Sequence, residues 1–176
     1  MAEPVSLEEL KAHLDVDRDD QDEMITAMGV AAREWVESFT GLTLARRRVS
    51  EAFTNFGAVR ALSAWPIAED AVPTVRYSVG GTAPVVLDGA TVFPLLRPCP
   101  IYPAPGSAWP HGAASVIVTI EAGYAPEDVP ASLKSALKLM VGNLYANRES
   151  TVTGTIVADT GTIENLCRPY RLPVIG

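Results

Sequence analysis

Cysteine and histidine are scarce in this chain, two of each in 176 residues, and neither pair stands at a spacing that metal or redox chemistry uses. Cys99 and Cys167 lie far apart with no C-x-x-C, so in a reducing compartment they read as free thiols. His13 falls in a helical segment and His111 in a Pro/Gly-rich loop, and neither has a Cys/His cluster beside it. The motifs H-E-x-x-H, G-x-S-x-G, the P-loop and G-x-G-x-x-G are all missing, which leaves nothing from which to assemble an active site. The expectation is a protein with no catalytic residues, no cofactor and no metal.

Basic charge is also in short supply. Fourteen Lys and Arg against 21 Asp and Glu give a net charge of −7. A protein that grips nucleic acid by neutralising phosphates needs a basic face, so that mode is disfavoured. No apolar run approaches the roughly 18 residues of a membrane span, and "MAEPVSLEEL" has no basic n-region ahead of an apolar stretch. The chain reads as soluble and unexported, with no membrane partner. Apolar residues, in contrast, make up 48% of the sequence, enough to fill the core of one domain.

Helical signals stand at both ends. Ser6-Leu7-Glu8-Glu9 is a capping box opening a short helix from about Leu7 to Leu14. Ile25, Met28, Ala32, Trp35, Phe39 and Leu42 then recur at steps of three and four, one apolar stripe of a helix from Asp20 to Thr40 that Gly41 ends in the left-handed position. A second long helix spans Val129–Asn147, with Asp128 as cap, Pro130 in the first turn, and an apolar face of Leu133, Ala136, Leu137, Met140, Val141 and Leu144. Between them, from Ala45 to Gly123, the period shifts towards two. Strands are expected near Arg47–Phe53, Val59–Ser63, Thr74–Val79, Val85–Leu87, Thr91–Leu95 and Ser115–Glu121, with Gly80-Gly81 as a hairpin turn. "PLLRPCPIYPAPGSAWP", with six prolines from Pro94 to Pro110, reads as an exposed extended loop of fixed shape.

The fold class is therefore α+β: a bundle of two long and two short helices with an antiparallel β insertion between the two long helices. The expected layout is one domain over 1–176, divided into N-terminal helices 1–44, the β insertion 45–123, the long helix 124–149, and a C-terminal arm 150–176 with a short helix in "IENLCRPYRL".

Five aspartates and a glutamate crowd "LDVDRDDQDEMI", Leu14 to Ile25. A calcium loop starting at Asp15 would need Gly sixth and Glu twelfth, where Asp20 and Thr26 stand; a start at Asp17 fails likewise, with Asp22 and Met28. Capping explains the run better. Asp17, Asp19 or Asp20 would cap the long helix, and Asp22 and Glu23 would meet the positive end of its dipole.

Three features are candidates for partner contacts. Arg46-Arg47-Arg48, the one basic run, is either a solvated strand end or a contact for the acidic face of a neighbouring subunit. Trp109, followed by Pro110, either packs the proline loop onto the sheet or anchors a partner. Tyr170, Arg171 and Leu172 end a polar, Gly-containing segment and suit docking into another protein or packing back.

Several stretches, in order, resemble one family. "LKAHLDVDRDDQDEMITAMGVAAREWVESFTG" is similar to the N-terminal helices of bacteriophage head-tail connector (adaptor) proteins, and "WPHGAASVIVTIEAGYAPEDVPASLKSALKLMVGNLYANRES" to that family's W-P, V-x-V-T, A-G-Y, V-P and N-R-E pattern. "IENLCRPYRL" resembles its short terminal helix. The resemblance implies a structural subunit of a tailed phage, prophage or gene transfer particle. Such a subunit sits in the neck of the particle, assembled in the bacterial cytoplasm. It forms a ring, commonly a dodecamer, between the portal protein and a stopper or tail-completion protein, and DNA passes through without sequence-specific binding. It also implies portal contact by Tyr170, Arg171 and Leu172. The rival readings are another neck component such as a stopper and, from a different class, a calcium-binding module or enzyme.

Overall fold

The computed structural model describes residues 2–147 and 160–171. The class is α+β. The chain forms two compact units, one of helices (Met1–Ala45 with Tyr124–Gly176) and one of strands (Arg46–Gly123).

The helical unit contains α1 (Leu7–Leu14), α2 (Asp22–Thr40), α3 (Ala131–Ala146) and α4 (Thr160–Cys167). Both halves of the Ser6/Glu9 capping box form, Glu9 N–H donating to Ser6 Oγ at 3.2 Å and Ser6 N–H to Glu9 Oε2 at 3.1 Å. α2 lies against α3, and α4 packs on both. Ile25, Ala32 and Val36 from α2, Leu133, Ala136, Leu137 and Val141 from α3, and Ile163 and Cys167 from α4 are buried. Gly29 permits close approach of α1, since a methyl group there would stand 2.9 Å from Leu10 Cδ1. Gly41 ends α2 at φ 69°, its N–H donating to the Glu37 carbonyl.

Three sequence expectations change here. The buried line of α2 runs through Ile25, Ala32, Val36 and Thr40, so Trp35 and Phe39 sit at its margin, half-buried and stacked on each other at 5.2 Å. No aspartate caps α2: the helix begins at Asp22 behind Gln21 without a side-chain cap. The carboxylates of Asp19 and Asp22 instead accept from Lys11 Nζ at 2.7 and 2.8 Å. These bonds, that to Asp19 foremost, push the Lys11 pKa up to about 12 and hold the Asp19 carboxyl below its usual range. The acidic run is thus a hinge tied to the last turn of α1. Asp128 does not cap α3 either. It lies in a 3-10 turn, Pro126–Asp128, and the helix starts at Ala131 behind Pro130. Val129 precedes a proline and is held extended, which bars a helical start before that point.

In the β unit, β1 (Arg47–Phe53), β7 (Ala113–Ala122), β3 (Thr74–Val79) and β4 (Val85–Leu87) form one antiparallel sheet in that order. A smaller sheet has the order β2 (Ala61–Leu62), β6 (Cys99–Tyr102), β5 (Thr91–Val92). Strand alternation in β7 sends Val116, Val118, Ile120 and Ala122 into the core and leaves Ile117 and Glu121 outward. The β3–β4 hairpin turns at Gly80 and Gly81, both at positive φ, with Thr82 N–H donating to the Val79 carbonyl at 3.0 Å.

The expected proline loop is partly strand. Cys99 and Ile101 are buried, and Cys99–Tyr102 is the middle strand of the small sheet. Pro100 is tolerated because its carbonyl still accepts from Phe93 N–H at 3.0 Å, so the ladder forgoes only the N–H that proline lacks. The neighbouring turn does stay in solvent, with Leu95 70% and Leu96 52% exposed.

Both thiols are free and buried. Burial pushes both up, Cys167 to about 11. Ellman's reagent at about pH 8 should therefore label neither thiol in the native protein and both in denaturant, because the thiolate is the reactive form. Rapid native labelling would contradict the packing of α4.

Candidate interaction surfaces

The outer face of the four-stranded sheet carries a groove of about 520 Å³. Arg46, Arg48 and Arg76 line it together with Asp70, Thr119 and Glu121. Alternation along β1 explains which arginines take part: Arg46 and Arg48 are exposed on this side, while Arg47, one residue out of phase, is half-buried opposite Ala122. Arg46 Nε meets Glu121 Oε1 at 3.1 Å, and its Nη2 stands 3.8 Å from Asp70 Oδ1. The Arg48 and Arg76 side chains have no hydrogen-bond or ion-pair partner among the described residues. Between them runs a row of hydroxyls, Ser50, Thr119 and Thr74 in register, with Ser50 Oγ 2.8 Å from Thr119 Oγ1.

Sequence reading missed Arg76, Asp70 and Glu121. Alternation in "TVRYSV" marks Arg76 as outward-facing, but the strand order that sets β3 two places from β1 is not written in either segment.

Trp109 is in packing contact. It stacks on Phe56 at 5.0 Å between centroids, and Phe56 meets Tyr77 edge-on at 5.4 Å. In the helical unit, a 3-10 turn (Arg168–Tyr170) follows α4. The Tyr170 hydroxyl lies 2.9 Å from Ser132 Oγ, and the Arg171 guanidinium stands 5.1 Å over the Phe39 ring. The end of the described chain is thereby fixed to α3 by a hydrogen bond and to α2 by a cation–π contact. Leu172 lies outside the described residues. No group of three His, Cys, Asp or Glu among the described residues could hold a metal ion. Nor is any described helix long and apolar enough to cross a membrane.

Residues 4–65 match the family model "Phage gp6-like head-tail connector protein". The connector resemblance holds over that stretch. No curated protein matches the chain. Three solved structures share its fold through nearly its whole length. One is the "Neck of empty GTA particle computed with C6 symmetry", at 21% identity and TM-score 0.76, covering 100% of this chain and 95% of that one. A second is the "Virion of native gene transfer agent (GTA) particle", at 21% identity and TM-score 0.73, covering 98% and 92%. The third is the "Neck of native GTA particle computed with C12 symmetry", at 22% identity and TM-score 0.72, covering 100% and 95%. At these identities the likeness is one of fold. It extends the agreement from the N-terminal helices of the connector match through the β unit to the C-terminal helix.

Proposed function

We propose that this protein is a structural, non-catalytic adaptor subunit in the neck of a tailed phage or phage-like particle. It forms a ring under the portal protein and passes the DNA channel on to a stopper or tail-completion protein. The observation that carries this reading is the end-to-end fold match to neck components at TM-score 0.76, with the connector model covering residues 4–65. A ring of twelve copies accords with the C12 symmetry of one of those necks. In this reading one connector domain serves as the subunit: its two long and two short helices form the bundle, and the β insertion between them supplies lateral contacts. Tyr170, Arg171 and Leu172 face the portal. The anchoring of Tyr170 on Ser132 and of Arg171 on Phe39 supports this, since a docking segment benefits from a fixed point of departure. A net charge of −7 suits a channel that DNA slides through without being gripped. A stopper reading would favour a mainly β chain, whereas α2 and α3 here are 19 and 16 residues long.

The test is placement in the particle. Cryo-electron microscopy of particles from cells making the chain should show it as a ring between portal and tail, and cells lacking it should release filled heads without tails. Normal tailed particles from those cells would overturn the reading.

A further inference from the structure

We infer that the groove of Arg46, Arg48 and Arg76 receives the aspartate-rich hinge, Asp15 to Asp20, of a second copy of this chain, joining neighbouring subunits head to tail. The inference rests on the ring reading and names the contact that builds the ring.

The groove is prepared for carboxylates. The Arg48 and Arg76 side chains are exposed without partners among the described residues, and Arg46 is shared between Glu121 and Asp70, the latter pair a loose 3.8 Å apart with Asp70 91% exposed. An incoming carboxylate can displace Asp70 at little cost, and a guanidinium accepts it through two parallel hydrogen bonds. The Thr74 and Thr119 hydroxyls also line the groove.

The hinge supplies the complement. Asp15, Asp17, Asp19 and Asp20 are all exposed, and the carboxylates of Asp15 and Asp17 have no partner among the described residues. The loop is also held in shape. Asp15 is left-handed at φ 56°, Val16 N–H donates to the Lys11 carbonyl at 3.0 Å, and Lys11 clamps Asp19. A segment fixed before binding loses less entropy on docking.

Apolar side chains around the groove favour a protein partner over a nucleic-acid backbone. Val72 is 77% exposed on its lining, and Ile117 and Val86, which flank Arg76 in register, are 41% and 50% exposed. Such residues contribute when a protein covers them and gain nothing from phosphates. Groove and hinge are different surfaces of one chain, so their pairing is heterologous and closes into a ring when the rotation permits.

The test follows the full chain into particles assembled in cells. Arg48→Glu with Arg76→Glu, and separately Asp15→Lys with Asp17→Lys, should each lower the chain recovered in particles about tenfold, and the chain carrying all four should recover to within about threefold of wild type. All four positions are exposed, so thermal melting of each variant should stay within a few degrees of wild type, the largest drop coming from Asp15→Lys at its left-handed backbone. Failure of the fourfold variant to recover overturns the pairing. Normal incorporation of the groove variant with weakened retention on duplex DNA also overturns it, by making the groove a phosphate surface. A cysteine pair separates this contact from the neck reading. Arg48→Cys with Asp17→Cys in the concentrated purified chain should oxidise to a ladder of multimers, whereas a chain with either introduced cysteine alone should stop at dimers, since the native Cys99 and Cys167 are buried. A ladder from a chain that never enters particles upholds the contact and removes the neck reading; neither ladder nor rescue removes the contact.

Discussion

Glu37→Ala should cost the helical unit about 3–5 kcal/mol, the loss expected when one partner of a buried charge pair is removed. Glu37 is 10% exposed, and its carboxylate accepts from a guanidinium and from the backbone N–H groups of Leu44 and Ala45. Its Oε2 accepts from Arg33 Nη1 at 3.0 Å, and its Oε1 accepts from Leu44 N–H at 2.7 Å. Arg33 is buried at 7% side-chain exposure, so truncation leaves its charge to Glu3 at 2.8 Å and to Glu34 at 4.0 Å, which is itself 67% exposed. Leu44 is fully buried, and its N–H loses the carboxylate where water does not reach. Glu37→Gln keeps an acceptor for Leu44 and removes only the charge, so its cost should be smaller, about 1–2 kcal/mol. Urea denaturation followed by helical circular dichroism measures both. A cost for Glu37→Ala under about 1 kcal/mol would show that Arg33 and the α2-to-β1 connection do not depend on this side chain.

Glu37 also illustrates how far the sequence was legible. Local signals read correctly: the capping box of α1, Gly41 after α2, the paired glycines of the β3–β4 hairpin and the alternation of β7 each depend on a few adjacent residues and one backbone geometry. Features that depend on partners distant in sequence did not. Lys11 took Asp19, one of the aspartates expected to cap α2, and Pro130 displaced Asp128 from the start of α3. Glu37 was not singled out: the i,i+4 spacing sets it beside Arg33 on α2, but Leu44 becomes its neighbour only once the chain turns at Gly41. The candidate surfaces follow the same rule. Arg46-Arg47-Arg48 drew attention as a run, yet a strand sends Arg47 to the opposite face and recruits Arg76 from across β7. Composition showed the charges, and only sheet order showed which of them share a face.

The proline segment offers the sharpest contrast between the two readings. Ile101→Asp should destabilise the β unit by more than about 4 kcal/mol, because the carboxylate would enter a cluster of buried apolar side chains. Ile101 is 2% exposed, beside Val92 in register on β5 and near Leu62 and Cys99, both fully buried. Its N–H also donates to the Arg60 carbonyl at 3.3 Å, so displacing the side chain loosens the β2–β6 pairing. Tyr102→Asp is the control. Tyr102 is the next residue of the same strand, faces the other way and is 55% exposed, so its replacement should change stability by no more than about 0.5 kcal/mol. Trp109, stacked on Phe56 in the same unit, gives a fluorescence probe for both variants. If "RPCPIYPAP" were the exposed loop that its prolines suggest, the two substitutions would be equally harmless. A large cost at Ile101 and none at Tyr102 is the signature of a buried strand with period two, and equal costs at both positions would remove β6 from the sheet.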